Sequence, residues 1–276
     1  MQGINQDNFK LAVIQMVSSA QFQDNLDTAK SLIIEASNNG ADMVVLPEYF
    51  AFMGFKEKDK LVYQEVHLTG PVQELLCQLA IKYKLWIVAG TFPIQSEDQA
   101  RPFGRCYVFN DLGKVVTWYD KIHLFDVQVD DAQGSYCESR FTKAGSERVY
   151  FDSPWGKIGL AVCYDLRFPE LFRQLEADGC TLFIMPAAFT YQTGQLHWDS
   201  LIKARAIENL CYFAASAQGG LHQNGRETWG HSCIVSPWGK DLAQAQQGES
   251  IAYASIDSHA QAQLRKEFPV LQHKKL

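Results

Sequence analysis

No stretch of this 276-residue sequence holds the ~20 consecutive apolar residues that a membrane-crossing helix needs; the longest apolar runs are strand-sized. Positive charge is also in short supply. The formal net charge is −6 and the basic residues are scattered, with Lys274-Lys275 no more than a small terminal pair, so neither nucleic acid nor an anionic membrane is an expected partner. Low-complexity linkers, charge blocks and composition shifts are missing, and one domain spanning 1–276 is expected. Residues 1–10 are polar, without a basic stretch leading into an apolar core, so no secretory signal peptide is expected.

Several enzyme classes lack their usual motifs. There is no H-E-x-x-H, and His197, His222 and His231 have no zinc-ligand spacing, so no metal site is expected. G-x-S-x-G, G-x-x-x-x-G-K-[ST] and G-x-G-x-x-G are all absent, which leaves serine-hydrolase, P-loop and dinucleotide-binding readings without support. Seven cysteines, at 77, 106, 137, 163, 180, 211 and 233, form an odd set with no C-x-x-C pair. That usage suits reduced thiols in a cytoplasmic protein, most of them acting as small buried hydrophobes.

What is present is an alternation of strands and helices. Residues 9–17 are strand-like and lead into a helix with Leu26, Ala29, Leu32, Ile33 and Ala36 at helical spacing. Asn39-Gly40 stops that helix, and residues 43–46 form an apolar strand closed by Pro47. A second helix begins at Gly70-Pro71, followed by a strand over 86–92 and a hairpin around 111–114. The plan then repeats: Leu11-Ala12-Val13 is echoed by Leu160-Ala161-Val162, and Gly40 to Pro47 by Gly179 to Pro186. Pro-Trp-Gly-Lys also occurs twice, from Pro154 and Pro237, which shared turn chemistry explains. The echo predicts two similar β/α halves packed as an αββα unit.

Three polar residues stand where predicted strands run out: Glu48 after 43–47, Lys121 after 115–119 and Cys163 after 158–162. In open α/β sheets, functional groups gather beyond the carboxyl ends of strands. The types suit acyl transfer. A thiol attacks a carbonyl as thiolate and needs a base such as Glu48, and an ammonium such as Lys121, with the Tyr164 N–H, suits an oxyanion. Taken singly, each has an ordinary reading as a loop or core residue, and from type and position alone the two readings stay level.

The local strings add a family. Cys163-Tyr164-Asp165-Leu166-Arg167-Phe168-Pro169-Glu170-Leu171 resembles the nucleophile segment of the amidase branch of the nitrilase (carbon–nitrogen hydrolase) superfamily. Leu46-Pro47-Glu48 resembles its general-base segment, Tyr119 through Phe125 its lysine segment, and Tyr136-Cys137-Glu138-Ser139 the region of its second glutamate. The resemblance implies Cys163 as nucleophile, Glu48 as base, Lys121 as oxyanion stabiliser and Glu138 as supporting carboxylate. It also implies a four-layer αββα fold, no cofactor, and a homodimer packed through its helices, with the tail of about 257–276 at the interface. Tyr164-Asp165 after the cysteine, where nitrilases usually carry Trp-Glu, argues for amides. Stretches from Thr193 to Asn209 and from Trp229 to Ser232 look closest to deaminated-glutathione amidases, with omega-amidases as near relatives.

The implied activity is hydrolysis of a small-molecule amide with release of ammonia or an amine. Tyr49, Tyr164, Arg167, Phe189 and Thr190 are the candidate substrate-binding residues, although an Arg167 that braces the nucleophile turn is an equal reading. His123 is expected to be a hydrogen-bonded structural histidine, and Ser216 has no evident role. The stretch 126–134 is more acidic than the family pattern. A binding protein with idle chemistry is weighed against by the intact charged set, which is costly to bury without use. A redox sensor at Cys163 lacks a resolving cysteine close in the sequence.

Overall fold

The computed structural model describes residues 8–129 and 134–275, so part of the acidic stretch 126–134, and residues 1–7 of the polar beginning, lie outside the described residues. The first half runs β1 (Asn8–Gln15), α1 (Phe22–Asn38), β2 (Met43–Leu46), α2 (Pro71–Tyr83), β3 (Trp86–Ala89), β4 (Phe92–Ile94), β5 (Phe103–Phe109) and β6 (Val115–Asp120). A small hairpin of β7 (Asp126–Gln128) and β8 (Ser135–Cys137) leads to the second half. There follow β9 (Tyr150–Ser153), β10 (Gly156–Leu160), α3 (Pro169–Ala177), β11 (Leu182–Ala187), α4 (Tyr191–Asn209), β12 (Tyr212–Ala217), β13 (Gly219–Leu221), β14 (Glu227–Trp229), β15 (Cys233–Val235), β16 (Asp241–Gln244), β17 (Ser250–Asp257) and α5 (Ser258–Glu267).

Two large sheets result. One has the order β17-β1-β2-β3-β5-β4 with β6 on β5; the other has the order β16-β15-β12-β11-β10-β9. Side chains alternate across a strand, so β1 serves two layers at once. Leu11 and Val13 join a core shared with the second sheet, while Ala12 and Ile14 join the core formed with α1 and α2. Trp198 and Ile202 of α4, and Phe172 of α3, pack from the far side of the second sheet. The order is helix, sheet, sheet, helix: the predicted αββα sandwich.

The repeat is visible as two parallel crossovers, β1–α1–β2 with Leu11 opposite Met43, and β10–α3–β11 with Ile158 opposite Leu182. The echoed triplets do not align within their strands. β10 ends at Leu160, and Ala161-Val162 already lead into the nucleophile turn. The strand predicted over 86–92 is two strands, β3 and β4. Gly90 between them has φ +48°, and a Cβ there would lie 2.1 Å from the Pro47 carbonyl oxygen, so the chain has to bend and only glycine fits. Both Pro-Trp-Gly-Lys copies are hairpin turns, closing β9–β10 and β15–β16. The carboxyl-terminal helix α5 is fastened to its own chain: Gln261 Nε2 donates to the carbonyls of Thr181 and Leu210, both at 2.8 Å. No helix among the described residues is long and apolar enough to cross a membrane.

Candidate active site

Pro47 offers no N–H to continue the β2 ladder, so the chain leaves the sheet and presents Glu48. β6 delivers Lys121, β10 delivers Cys163 into a 3-10 turn (Cys163–Arg167), and β8 delivers Glu138 into another (Glu138–Arg140). The four side chains converge. Lys121 Nζ donates to Glu48 Oε1 at 2.8 Å and to Glu138 Oε2 and Oε1 at 2.8 and 3.1 Å. The Cys163 thiol lies beside Glu48, close enough for each to act on the other's proton affinity, and the Ala188 N–H points at its sulfur at 3.5 Å.

The backbone is bent to achieve this. Tyr49, directly after Glu48, has φ 58° and Cys163 has φ 48°, both in the left-handed region that side-chain-bearing residues rarely occupy. Hydrogen bonds from distant segments hold the two bends. Gln218 Nε2 donates to the Glu48 carbonyl at 2.9 Å, and the Tyr49 N–H to Thr91 Oγ1 at 3.2 Å. Asp165, fully buried, accepts from the Val162 N–H and the Tyr119 hydroxyl, each at 2.7 Å, and from the His123 N–H at 3.1 Å. Its Oδ1 is also 2.6 Å from His123 Nδ1. His123 is therefore held between Asp165 and the ring of Phe168, stacked at 3.7 Å, as a structural histidine.

Burial and the surrounding charges divide the ionisable groups. Burial, and then the Glu138 charge, raise the Glu48 carboxyl above its ordinary range against the opposing pull of Lys121. For Glu138 burial also pushes upward, but Lys121, Lys60 and the Phe125 N–H outweigh it and hold this carboxyl below the usual value. Lys121 loses solvation, yet its two carboxylates keep it firmly protonated. Burial and the neighbouring Glu48 push the Cys163 thiol well up. A raised carboxyl against a buried thiol is a pair between which a proton can pass, and a fixed ammonium beside them can meet negative charge as it develops.

All the residues picked from the sequence, namely Glu48, Tyr49, Lys121, Glu138, Cys163, Tyr164, Arg167, Phe189 and Thr190, line one narrow pocket. Some have additional ties. The Tyr49 hydroxyl donates to Glu138 Oε1 at 3.2 Å, so this side chain holds a carboxylate as well as shaping the wall. Arg167 lies over the rings of Tyr164 and Phe189, with Nη1 3.2 Å from His197 Nδ1. Thr190 also caps α4, its Oγ1 accepting from the Thr193 N–H. Ser216, without an evident role in the sequence, donates its hydroxyl to the Ile14 carbonyl and ties the two sheets together. Sequence reasoning did not pick out Glu57, Phe125, Tyr136, Ala188, Thr193 and Arg226, which complete the lining. Tyr136 stands in the string around Glu138 without having been read as a lining residue, whereas Glu57 and Arg226 come from polar turns with no motif to mark them. Among the described residues no group of three or more His, Cys, Asp or Glu is arranged to hold a metal ion.

Comparison with known proteins gives this geometry its relatives. Residues 10–266 match the carbon–nitrogen hydrolase family. The deaminated glutathione amidase of Synechocystis sp. is 40% identical over 266 residues, covering 95% of this chain and 97% of that protein. The human deaminated glutathione amidase is 40% identical over 269 residues, covering 96% of this chain and 82% of that protein. The crystal structure of the C. elegans NitFhit protein superposes with a TM-score of 0.91 at 35% identity, over 98% of this chain and 65% of that chain.

Proposed function

The chain belongs to the carbon–nitrogen hydrolase family and is a hydrolase of carbon–nitrogen bonds other than peptide bonds, and on that premise we propose that it is a cysteine amidase acting on deaminated glutathione. In this reading Cys163 is the nucleophile, Glu48 the general base and acid, and Lys121 the oxyanion stabiliser. Glu138 keeps Lys121 charged and in place. The observation that carries it is the Lys121 ammonium, buried between two carboxylates beside a buried thiol.

Cys163 rests as a thiol, because burial and the Glu48 charge both oppose a thiolate. As its sulfur approaches the amide carbonyl, Glu48 takes the thiol proton and a C–S bond forms. The carbonyl oxygen becomes an oxyanion facing Lys121 and the Tyr164 N–H; one preorganised donor of this kind is worth about 2.7–4 kcal/mol of barrier. Glu48 then passes the proton to the nitrogen, the C–N bond breaks and a thioester remains. With deaminated glutathione the leaving group is the amine of cysteinylglycine rather than ammonia. Water replaces it, Glu48 takes a proton from that water, and the hydroxide oxygen attacks the thioester. The C–S bond breaks, the sulfur recovers its proton from Glu48, and 2-oxoglutarate departs.

Purified protein should convert deaminated glutathione to 2-oxoglutarate and cysteinylglycine, both measurable by chromatography. Cys163→Ala should reduce turnover to background with an unchanged circular dichroism spectrum. Undiminished turnover in that variant would end the assignment.

A further inference from the structure

The narrow pocket around Cys163 adjoins a larger cavity of about 500 Å³. The two share Tyr49, Glu57, Tyr136 and Arg226 as common wall. A cavity of this size falls in the range, roughly 300–1,000 Å³, of sites that enclose a whole small ligand. Ammonia leaving from a primary amide would need none of it.

Arg226 stands at the neck between the two spaces. Its backbone is fixed at the β13–β14 hairpin: its carbonyl accepts from the His222 N–H at 2.8 Å and its N–H donates to Asn224 Oδ1 at 3.0 Å. Asn224 Nδ2 in turn donates to the Gly54 carbonyl at 2.7 Å, tying the hairpin to the loop across the cavity. The guanidinium lies over the ring of Tyr136, 5.3 Å from its centroid, and the side chain is only 14% exposed. Yet its donors are poorly served. Among the described residues Nε has no acceptor, and the nearest of their carboxylates, Glu57, is 3.8 Å from Nη1, too far for a hydrogen bond. Glu57 also sits 3.5 Å from Lys60 Nζ, so its charge is shared between two cations.

The two buried arginines among the described residues behave differently. Arg105 forms a two-pronged pair with Asp120 at 2.6 and 2.8 Å, and Arg205 donates twice to the Leu166 carbonyl at 3.1 and 2.9 Å. Those guanidinia serve the fold. A guanidinium buried without such partners is costly unless something else supplies a planar pair of acceptors, which a carboxylate does.

We propose that Arg226 is the carboxylate anchor of a leaving-group subsite, so that the enzyme selects amides whose departing amine ends in a carboxylate, as a short peptide does. The inference rests on the amidase reading and extends it to the side of the scissile bond away from the acyl group. Arg167, the other arginine of the narrow pocket, is absent from the wall of the larger cavity and is not placed to do this. A substrate with carboxylates on both sides of its amide therefore has a distinct partner for the leaving-group one.

The experiment compares kcat/KM for deaminated glutathione, for the same molecule capped as its carboxyl-terminal amide, and for 2-oxoglutaramate, which has the same acyl half but only ammonia to release. Wild-type protein should favour the free acid over the capped form by about 10- to 100-fold, the worth of charge-assisted hydrogen bonds. In Arg226→Met that ratio should fall to about one, and in Arg226→Lys it should be partly retained. An unchanged ratio in Arg226→Met overturns the proposal, as does an equal loss on 2-oxoglutaramate, which would place Arg226 against the acyl half. Thermal melting separates these outcomes from misfolding, with Arg226→Lys deciding if the Met variant does not fold. Wild-type turnover of 2-oxoglutaramate but not of deaminated glutathione would refute the subsite and leave amidase chemistry standing. If wild type hydrolyses neither, the amidase reading itself fails. Calorimetric binding of the free and capped forms then decides whether Arg226 recognises the carboxylate, and equal affinities overturn it.

Discussion

Two glutamates share one lysine at this site, and their surroundings push them apart: Glu48 is raised above the ordinary carboxylate range and Glu138 is held below it. The division is the kind that separates a proton carrier from a permanent anion. It yields a prediction with a definite sign. The Glu138 charge is among the causes that raise Glu48. Replacing it with a neutral amide in Glu138→Gln should therefore lower the Glu48 value, moving the acidic limb of the kcat/KM profile to lower pH. Turnover at neutral pH should fall by about 10²- to 10³-fold, as for a lost preorganised electrostatic contact, because Lys121 is less firmly placed. A rate–pH profile from pH 4 to 8 checks both effects. A limb that stays in place while the rate falls would mean that Glu138 positions Lys121 without setting the proton affinity of Glu48.

At the scale of elements, the sequence showed where strands end better than what lies between them. Apolar runs stopped by Pro47 and Cys163 marked two of the contributing strands, and the β–α–β echo anticipated the β1–α1–β2 and β10–α3–β11 crossovers. The break at Gly90 was not legible, since it depends on a contact with Pro47, just beyond the end of β2. For the same reason the Tyr49–Glu138 bond, spanning 89 positions, left no trace in local patterning. Asp165 stood within a recognised string, but its work is tertiary. Through Tyr119 and His123 it clasps the end of β6, which carries Lys121, to the turn that carries Cys163. Tyr119→Phe removes one donor of that clasp and leaves the Val162 and His123 bonds intact. Urea unfolding should show a loss of about 1.5–3 kcal/mol, the range for a hydrogen bond to a charged group. Turnover should fall with no movement of the pH profile, because no proton-carrying group has changed. Unaltered stability would show that the remaining bonds hold the turn without Tyr119.

The whole molecule joins two sheets across a shared core, and polar ties fasten the loops and hairpin beyond the strand ends. His222 is one such tie: buried, with Nδ1 2.8 Å from the Ser18 carbonyl oxygen and Nε2 2.7 Å from Thr228 Oγ1. It links the loop after β1 to the hairpin that carries Arg226. The carbonyl requires an N–H on Nδ1, which leaves Nε2 as the acceptor, so the neutral ring satisfies both partners. Burial, with Arg226 adding repulsion against the upward pull of the Ser18 bond, lowers its pKa to about 4. In the unfolded chain this histidine takes up a proton near pH 6.5, whereas in the folded protein it does so only near pH 4. Between those values the unfolded state binds more protons, and stability falls as pH falls. The gap corresponds to about 3 kcal/mol at 1.36 kcal/mol per unit, present in full above pH 6.5 and lost progressively towards pH 4. His222→Asn, which keeps a donor near the Nδ1 position and cannot take up the proton, should be about 1 kcal/mol less stable at pH 7 through its lost bond to Thr228. It should then lose less on acidification, so that the two stability curves cross between pH 6.5 and 4. Urea titrations at half-unit intervals follow both curves, and parallel curves would exclude His222 as an acid-sensitive joint between the loop after β1 and the β13–β14 hairpin.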